Sequence, residues 1–263
     1  MILIQHGMVY TMTEDEPMQA DVLVEDGKIL RVEAEIIPQP EWTVIDASGK
    51  NVYPGFIDAH CHLGMIEEAI GFEGNDSNEA TDPITPQLRA IDGFNPMDRA
   101  VEEAKNAGIT AVATGPGSAN VIGGQFAVLK TCGKRVDNMI VKAPLAMKIA
   151  FGENPKRVYN SKQRSPMTRM ATAALLRQTL TEAKNYMHKK EKDPETPVDF
   201  KLEPLIPVLT GEIPLKAHAH RADDIFTALR IAKEFNVRIT LDHCTEGHLI
   251  AQELAGDNVK AIV

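Results

Sequence analysis

Three short apolar runs in this chain end in histidine: PGFIDAHCH at residues 54–62, LKAHAH at residues 215–220 and RITLDHC at residues 238–244. No other feature limits the fold as tightly. Side chains alternate between the two faces of a strand, so His60 and His62 point the same way while Cys61 points the other. Strands that alternate with helices pair in parallel and place their carboxyl ends along one edge. Imidazoles that close several such strands are thereby brought to a common face.

The rest of the chain reads in the same terms. The first 50 residues are strand-like: Ile2 to Ile4, then ADVLVEDGKILRVEA, in which Asp26-Gly27 between alternating apolar residues signals a hairpin, then Thr43 to Ile45. From Val52 onward strand and helix signals alternate. Phe56 to Ala59 is the first strand. Asn95-Pro96 reads as an N-cap and first helical residue opening MDRAVEEAKNA, with Gly108 ending that helix before a strand over Ile109 to Thr114. Ser165-Pro166 repeats the signal before MTRMATAALLRQTLTEAKNYMHKK, which Asp193 to Pro197 breaks. Strands over Leu215 to Ala219 and Arg238 to Asp242 flank a helix, ADDIFTALRIAKEF, whose Ile225, Leu229 and Ala232 share one face. About six barrel-like strands are legible, whereas a (β/α)8 barrel needs eight and typically ~250 residues of its own. The expected fold class is α/β: a (β/α)8 TIM-like barrel over residues 51–263, truncated after about six strands, preceded by a small N-terminal β-sandwich portion over residues 1–50.

Composition narrows the partners. With 28 basic against 37 acidic residues the formal net charge is -9, which disfavours nucleic acid and anionic membrane surfaces and leaves a small-molecule substrate as the expected partner. No run approaches ~18 consecutive apolar residues, and the N-terminus lacks the pattern of a secretory signal. Three cysteines, Cys61, Cys132 and Cys244, argue against a disulfide framework and fit a reducing, cytoplasmic setting. Sheet edges left open by absent strands would favour pairing between copies, so a homo-oligomer is the further partner expected.

Two imidazoles on one strand face can share a metal ion, and a strand holds them more rigidly than a loop would. Taken alone, His60 and His62 read equally as two unrelated histidines at a strand end. The decision comes from His218 and His243, each at the carboxyl end of its own strand, the face on which (β/α)8 barrels build their active sites.

PGFIDAHCHLG resembles the first-strand signature of the metal-dependent amidohydrolase superfamily, and IDASGKNVYPGFIDAHCH is similar to that family's entry into its barrel. Among its members the chain most resembles the imidazolonepropionase-like and prolidase-like branch, over almost its whole length. The resemblance implies that His60 and His62 are first-strand metal ligands, His218 the fifth-strand ligand and His243 the sixth-strand ligand. It implies a bridging anion from the fourth strand. Lys148, uncommon inside the apolar run APLAMKIAF, is the candidate if carboxylated, with Glu153 its rival. His220 has no place in the family pattern and is read as lying behind the ligands or facing substrate. The donors of GENPKRVY, Arg157 and Tyr159 among them, suit a substrate carboxylate, although a solvated loop explains such charges as well.

The activity implied is hydrolysis of an amide or cyclic amide by metal-activated water. Zinc is the expected ion, one or two per site, with iron, manganese and cobalt as alternatives. The family pattern also places an aspartate at the end of the eighth strand to move the proton, and no residue up to Val263 matches it: Asp58, Asp242 and Asp257 stand in the wrong positions. The chain thus reads as an N-terminal portion of such an enzyme. The alternatives are deaminase or phosphoesterase chemistry on the same scaffold, or a short homologue that binds metal without catalysis.

Overall fold

The computed structural model describes residues 1–257 and 259–263. The chain divides into two compact units, Met1–Phe56 and Ile57–Val263. The first is a five-stranded sheet of β1 (Ile2–Val9), β2 (Met18–Glu25), β3 (Lys28–Glu33), β4 (Thr43–Asp46) and β5 (Asn51–Val52). β1, β2 and β3 run antiparallel in turn, while β4 and β5 pair with β1 in parallel. The hairpin between β2 and β3 turns on Asp26 and Gly27, both at positive φ (48° and 74°), as a two-residue loop with right-handed twist requires. Leu3, Leu23 and Ile36 form one small core with Trp42 against it; Val9, Ala20 and Val22 form another. Asp21 is buried among three N–H donors, from the Gln5 side chain and the backbones of His6 and Ile36, which satisfies its carboxylate where β1 bulges.

The second unit is built on seven strands: β6 (Phe56–Cys61), β7 (Ile109–Thr114), β8 (Ile122–Lys130), β9 (Ile140–Ala150), β10 (Leu215–Ala219), β11 (Ile239–His243) and β12 (Lys260–Ile262). They lie side by side in chain order, β6 at one edge and β12 at the other. The sheet curls. Lys216 on β10 donates to the Ala59 carbonyl on β6 at 3.3 Å although three strands separate them in the sheet, and the ring of His60 on β6 lies 5.1 Å from that of His243 on β11. The concave face is therefore barrel-like.

Among the described residues seven α-helices accompany these strands: α1 (Ala90–Gly93), α2 (Arg99–Asn106), α3 (Glu153–Asn160), α4 (Arg169–Lys192), α5 (Ile206–Leu209), α6 (Ala222–Phe235) and α7 (Ala251–Gly256). The main core lies between the convex face and two of them. Met147 and Ile149 of β9, Leu215 and Ala217 of β10, and Leu241 of β11 pack with Leu176, Leu180 and Ala183 of α4 and Ile225, Leu229 and Ala232 of α6. Alternation along the strands then sends Lys148, Lys216 and His218 to the opposite, concave face. No helix among the described residues is long and apolar enough to cross a membrane.

The structure corrects the sequence reading in three places. β9 to β12 pair in parallel as the alternating pattern requires, but β7, β8 and β9 form an antiparallel meander, and β8 is a strand the sequence reading lacks. Its glycines, Gly123 and Gly124, masked it: Gly124 adopts a φ of 127° and passes so close to the Leu88 carbonyl that a Cβ would lie 2.6 Å from that oxygen. The sheet accordingly has seven strands where six were expected. The helix caps are also displaced, each by three residues. Asp98, not Asn95, caps α2, and Thr168, not Ser165, caps α4, its hydroxyl accepting from the Ala171 N–H at 3.0 Å.

Replacing Thr168 with Ala should cost about 1 kcal/mol of stability, whereas Ser165→Ala should leave the cap and the stability unchanged. Thermal denaturation of the two variants compares them directly.

Candidate active site

His60 lies on β6 and His62 one residue beyond it, on the same face, with ring centroids 5.4 Å apart. On β10 the same period of two places Lys216, His218 and, just past the strand, His220 on one face; the rings of His218 and His220 are 4.6 Å apart. His243 should turn away, because its neighbour Asp242 faces inward. The backbone prevents this: His243 takes a φ of 71° and Cys244 one of 44°, so strand alternation breaks at the last residue of β11. The His243 ring thus comes within 4.7 Å of His218, 5.1 Å of His220 and 5.1 Å of His60.

Beneath the imidazoles lies a buried ionic cluster. Asp242, wholly buried, accepts from Lys216 at 2.7 Å through Oδ1 and from Lys148 at 3.0 Å through Oδ2. Lys148 and Lys216 sit opposite each other in the register of β9 and β10. Both ammoniums stand 5.4 Å from the centre of the Phe126 ring, which also stacks on His60 at 5.6 Å with an interplanar angle of 10°. One carboxylate therefore serves two ammoniums in a site nearly closed to water.

That arrangement sets the protonation states. Burial, with the charge of Lys148, pushes His60 and His218 down to about 3, so both are neutral imidazoles near neutral pH, the form that can donate a lone pair. Burial lowers His62 and His243 as well. Lys148 is pushed down to about 8 by burial, against the opposing pull of Asp242. Burial alone would raise Asp242, but the two ammoniums outweigh it and hold the carboxyl below its ordinary value. Cys61, on the other face, donates its thiol to the Ala113 carbonyl at 3.7 Å and is pushed up to about 11 by burial, so it stays protonated.

The hydrogen bonds show which ring nitrogens are committed. His62 donates Nδ1–H to the Gly115 carbonyl at 2.7 Å, which leaves Nε2 with its lone pair. His220 Nδ1 pairs with the Thr245 hydroxyl at 2.7 Å, and His218 Nε2 with the Asn154 amide at 3.0 Å. Both ring nitrogens of His60 and Nδ1 of His218 are buried with no hydrogen-bond partner. As the side chains stand, no three His, Cys, Asp or Glu among the described residues are arranged to hold a metal ion.

The sequence-predicted residues fall into two groups. His60, His62, His218, His220, His243 and Lys148 come together. Glu153 begins α3, Arg157 is exposed on the same helix, and Tyr159 is wholly buried with its hydroxyl donating to Asn120 at 2.6 Å. From the same GENPKRVY segment it is Asn154 that reaches an imidazole, with Ser118 as its second partner. The sequence reading also missed Lys216, Phe126 and the central place of Asp242. For Lys216 the signal was present, since it precedes His218 by two residues on the same strand. A cavity of about 430 Å³ lies at the opposite ends of β10 to β12 and is lined by none of these imidazoles.

Imidazoles gathered at the carboxyl ends of barrel-like strands, over a buried lysine, define the class: an α/β protein with a histidine-rich centre of the amidohydrolase kind. Comparison with known proteins agrees. An amidohydrolase structure from Thermotoga maritima matches all of this chain and 70% of its own length at 46% identity, with a TM-score of 0.94. The amidohydrolase TasK of Hapsidospora irregularis is 31% identical over 295 aligned positions, which take in 96% of this chain and 30% of that protein. A dihydroorotase of Caldicellulosiruptor saccharolyticus is 45% identical over 64 residues, 24% of this chain and 15% of that protein. No family model matches. The chain belongs to the amidohydrolase superfamily. It spans less than a third of the length of TasK.

The cluster predicts an asymmetry between two substitutions. Lys148→Met leaves Asp242 paired with Lys216 and should change stability by no more than about 1 kcal/mol. Asp242→Ala strands two buried ammoniums and should cost about 3–5 kcal/mol. Urea denaturation of both variants tests the difference.

Proposed function

We propose that this chain carries the metal-gathering face of a metal-dependent hydrolase acting on the C–N bond of an amide or cyclic amide. The observation that carries this reading is the meeting of His60, His62, His218 and His243 from three strand ends, with ring nitrogens of His60 and His218 buried and without partners. The names of its relatives support it: two are amidohydrolases and one a dihydroorotase.

The donor set fits a divalent ion. Imidazole suits zinc first, with iron, manganese and cobalt as alternatives. His60, His62, His218 and His243 would hold it, and Lys148, beside them and pushed down to about 8, would supply a bridging anion once carboxylated. When bound, the ion supplies Lewis acidity, polarising a carbonyl and acidifying water. The residues of this chain do the remainder. The Gly115 carbonyl fixes His62 with Nε2 free, Phe126 closes one side of the site against water, and we read His220 and, from the exposed face of α3, Arg157 as the residues that would meet the substrate. Tyr159 acts at one remove by fastening α3 to Asn120. We read the curled sheet as part of a (β/α)8 barrel, and the proton-moving aspartate of the family pattern as belonging to sequence outside these 263 residues.

Metal analysis of the purified protein should find a divalent ion that His60→Ala together with His62→Ala removes. Metal-free protein whose stability is untouched by chelators and by added zinc would overturn the reading. For Lys148, intact mass under native conditions should exceed the sequence mass by one carbon dioxide, and the excess should vanish in Lys148→Met.

A further inference from the structure

Asp242 meets Lys148, Lys216 and His60 at once, yet the family pattern gives it no role. Its Oδ1 accepts from Lys216 at 2.7 Å, its Oδ2 from Lys148 at 3.0 Å, and the same Oδ2 stands 3.4 Å from His60 Nδ1. That last approach is close without being an aligned hydrogen bond, and neither ring nitrogen of His60 has another partner. A neutral imidazole carries one N–H, and a buried donor left unsatisfied is costly. The His60 ring lies flat on Phe126, which fixes its plane and leaves a small in-plane turn as the available adjustment.

Lys216 makes this carboxylate a fixed point. Besides Asp242, its ammonium donates to the Ala59 carbonyl at 3.3 Å, the peptide that leads into His60. The pair thereby joins β6, β10 and β11, the three strands that carry the four imidazoles. Because the two ammoniums grip different oxygens, Asp242 stays paired with Lys216 even when Lys148 is engaged elsewhere.

We propose that Asp242, anchored by Lys216, is the positioning residue of this centre: it accepts the Nδ1 proton of His60 and so presents Nε2, with its lone pair, to the space between the imidazoles. The inference rests on the proposed function, since a free Nε2 matters only if the cluster binds metal. Asp242 then does for His60 what the Gly115 carbonyl does for His62, and both rings are set to the same tautomer by partners from elsewhere in the chain, one on β11 and one just past β7.

The test needs a readout of the ring itself. Long-range ¹H–¹⁵N correlation spectra of the metal-free full chain labelled in histidine, with His60 identified by His60→Gln, should show the Nδ1–H tautomer. Asp242→Asn, whose amide can turn a donor toward the ring, should shift His60 toward Nε2–H and weaken zinc binding, measured by competition with a chromophoric chelator, about 10- to 100-fold. Lys216→Met should weaken zinc in the same direction and leave the His62 signals unchanged. An Nε2–H tautomer in the wild-type protein overturns the proposal, as does zinc affinity within about twofold of wild type in a folded Asp242→Asn. Should that variant not fold, the wild-type spectrum decides. If the wild-type chain binds no zinc at all, the proposed function fails by itself, and the His60 tautomer still judges the role of Asp242.

Discussion

The interior of the larger unit is organised by one carboxylate shared between two ammoniums. Asp242 is fully buried, and an isolated charge in that setting would be driven out or neutralised. It remains because Lys148 arrives from β9 and Lys216 from β10, each on its own oxygen. A buried ion pair of this sort is weak evidence of stability, since its attraction does little more than offset desolvation. Its contribution is geometric. Three strands cannot slide past one another without separating charges in a medium that does not tolerate the separation. The imidazoles are held above this fixed layer, and their low affinity for protons follows from sitting beside a lysine in a dry place.

Much of this was legible in the sequence. Strand ends marked by histidine brought His60, His62, His218 and His243 into one reading: the period of two pairs His60 with His62, and the parallel pairing of β10 and β11 aligns the ends that carry His218 and His243. Lys148 stood out because an ammonium rarely sits in an apolar run. The long helix α4 and its break at Asp193 were readable from period and turn chemistry, although the N-terminus was not: Ser-Pro and Asn-Pro look like caps, but the chain makes one more turn before Thr168 and Asp98 accept the first free N–H groups.

What stayed hidden depends on contacts between distant segments. β8 is rich in glycine and reads as a loop until β9 pairs with it. Asp242 looked like an ordinary strand residue, because alternation should have put it on the face opposite His243. Only the left-handed backbone at His243 brings both inward. Nothing local to RITLDHC announces that conformation, which is imposed by packing on a residue that would otherwise avoid it. Phe126 likewise gains its place from the two lysines it meets on β9 and β10.

The bond from Lys216 to the Ala59 carbonyl spans 157 residues of sequence. A link of that separation closes late, since a chain must lose the entropy of the intervening loop before the contact returns anything. The first-strand imidazoles therefore meet those of β10 and β11 only when the curled sheet is nearly formed. Before that point His60 and His62 are two rings on one strand, without the imidazoles of β10 and β11 beside them. Order of assembly thus makes the imidazole cluster a product of the finished sheet: its rings come together only after the polypeptide has committed to its fold.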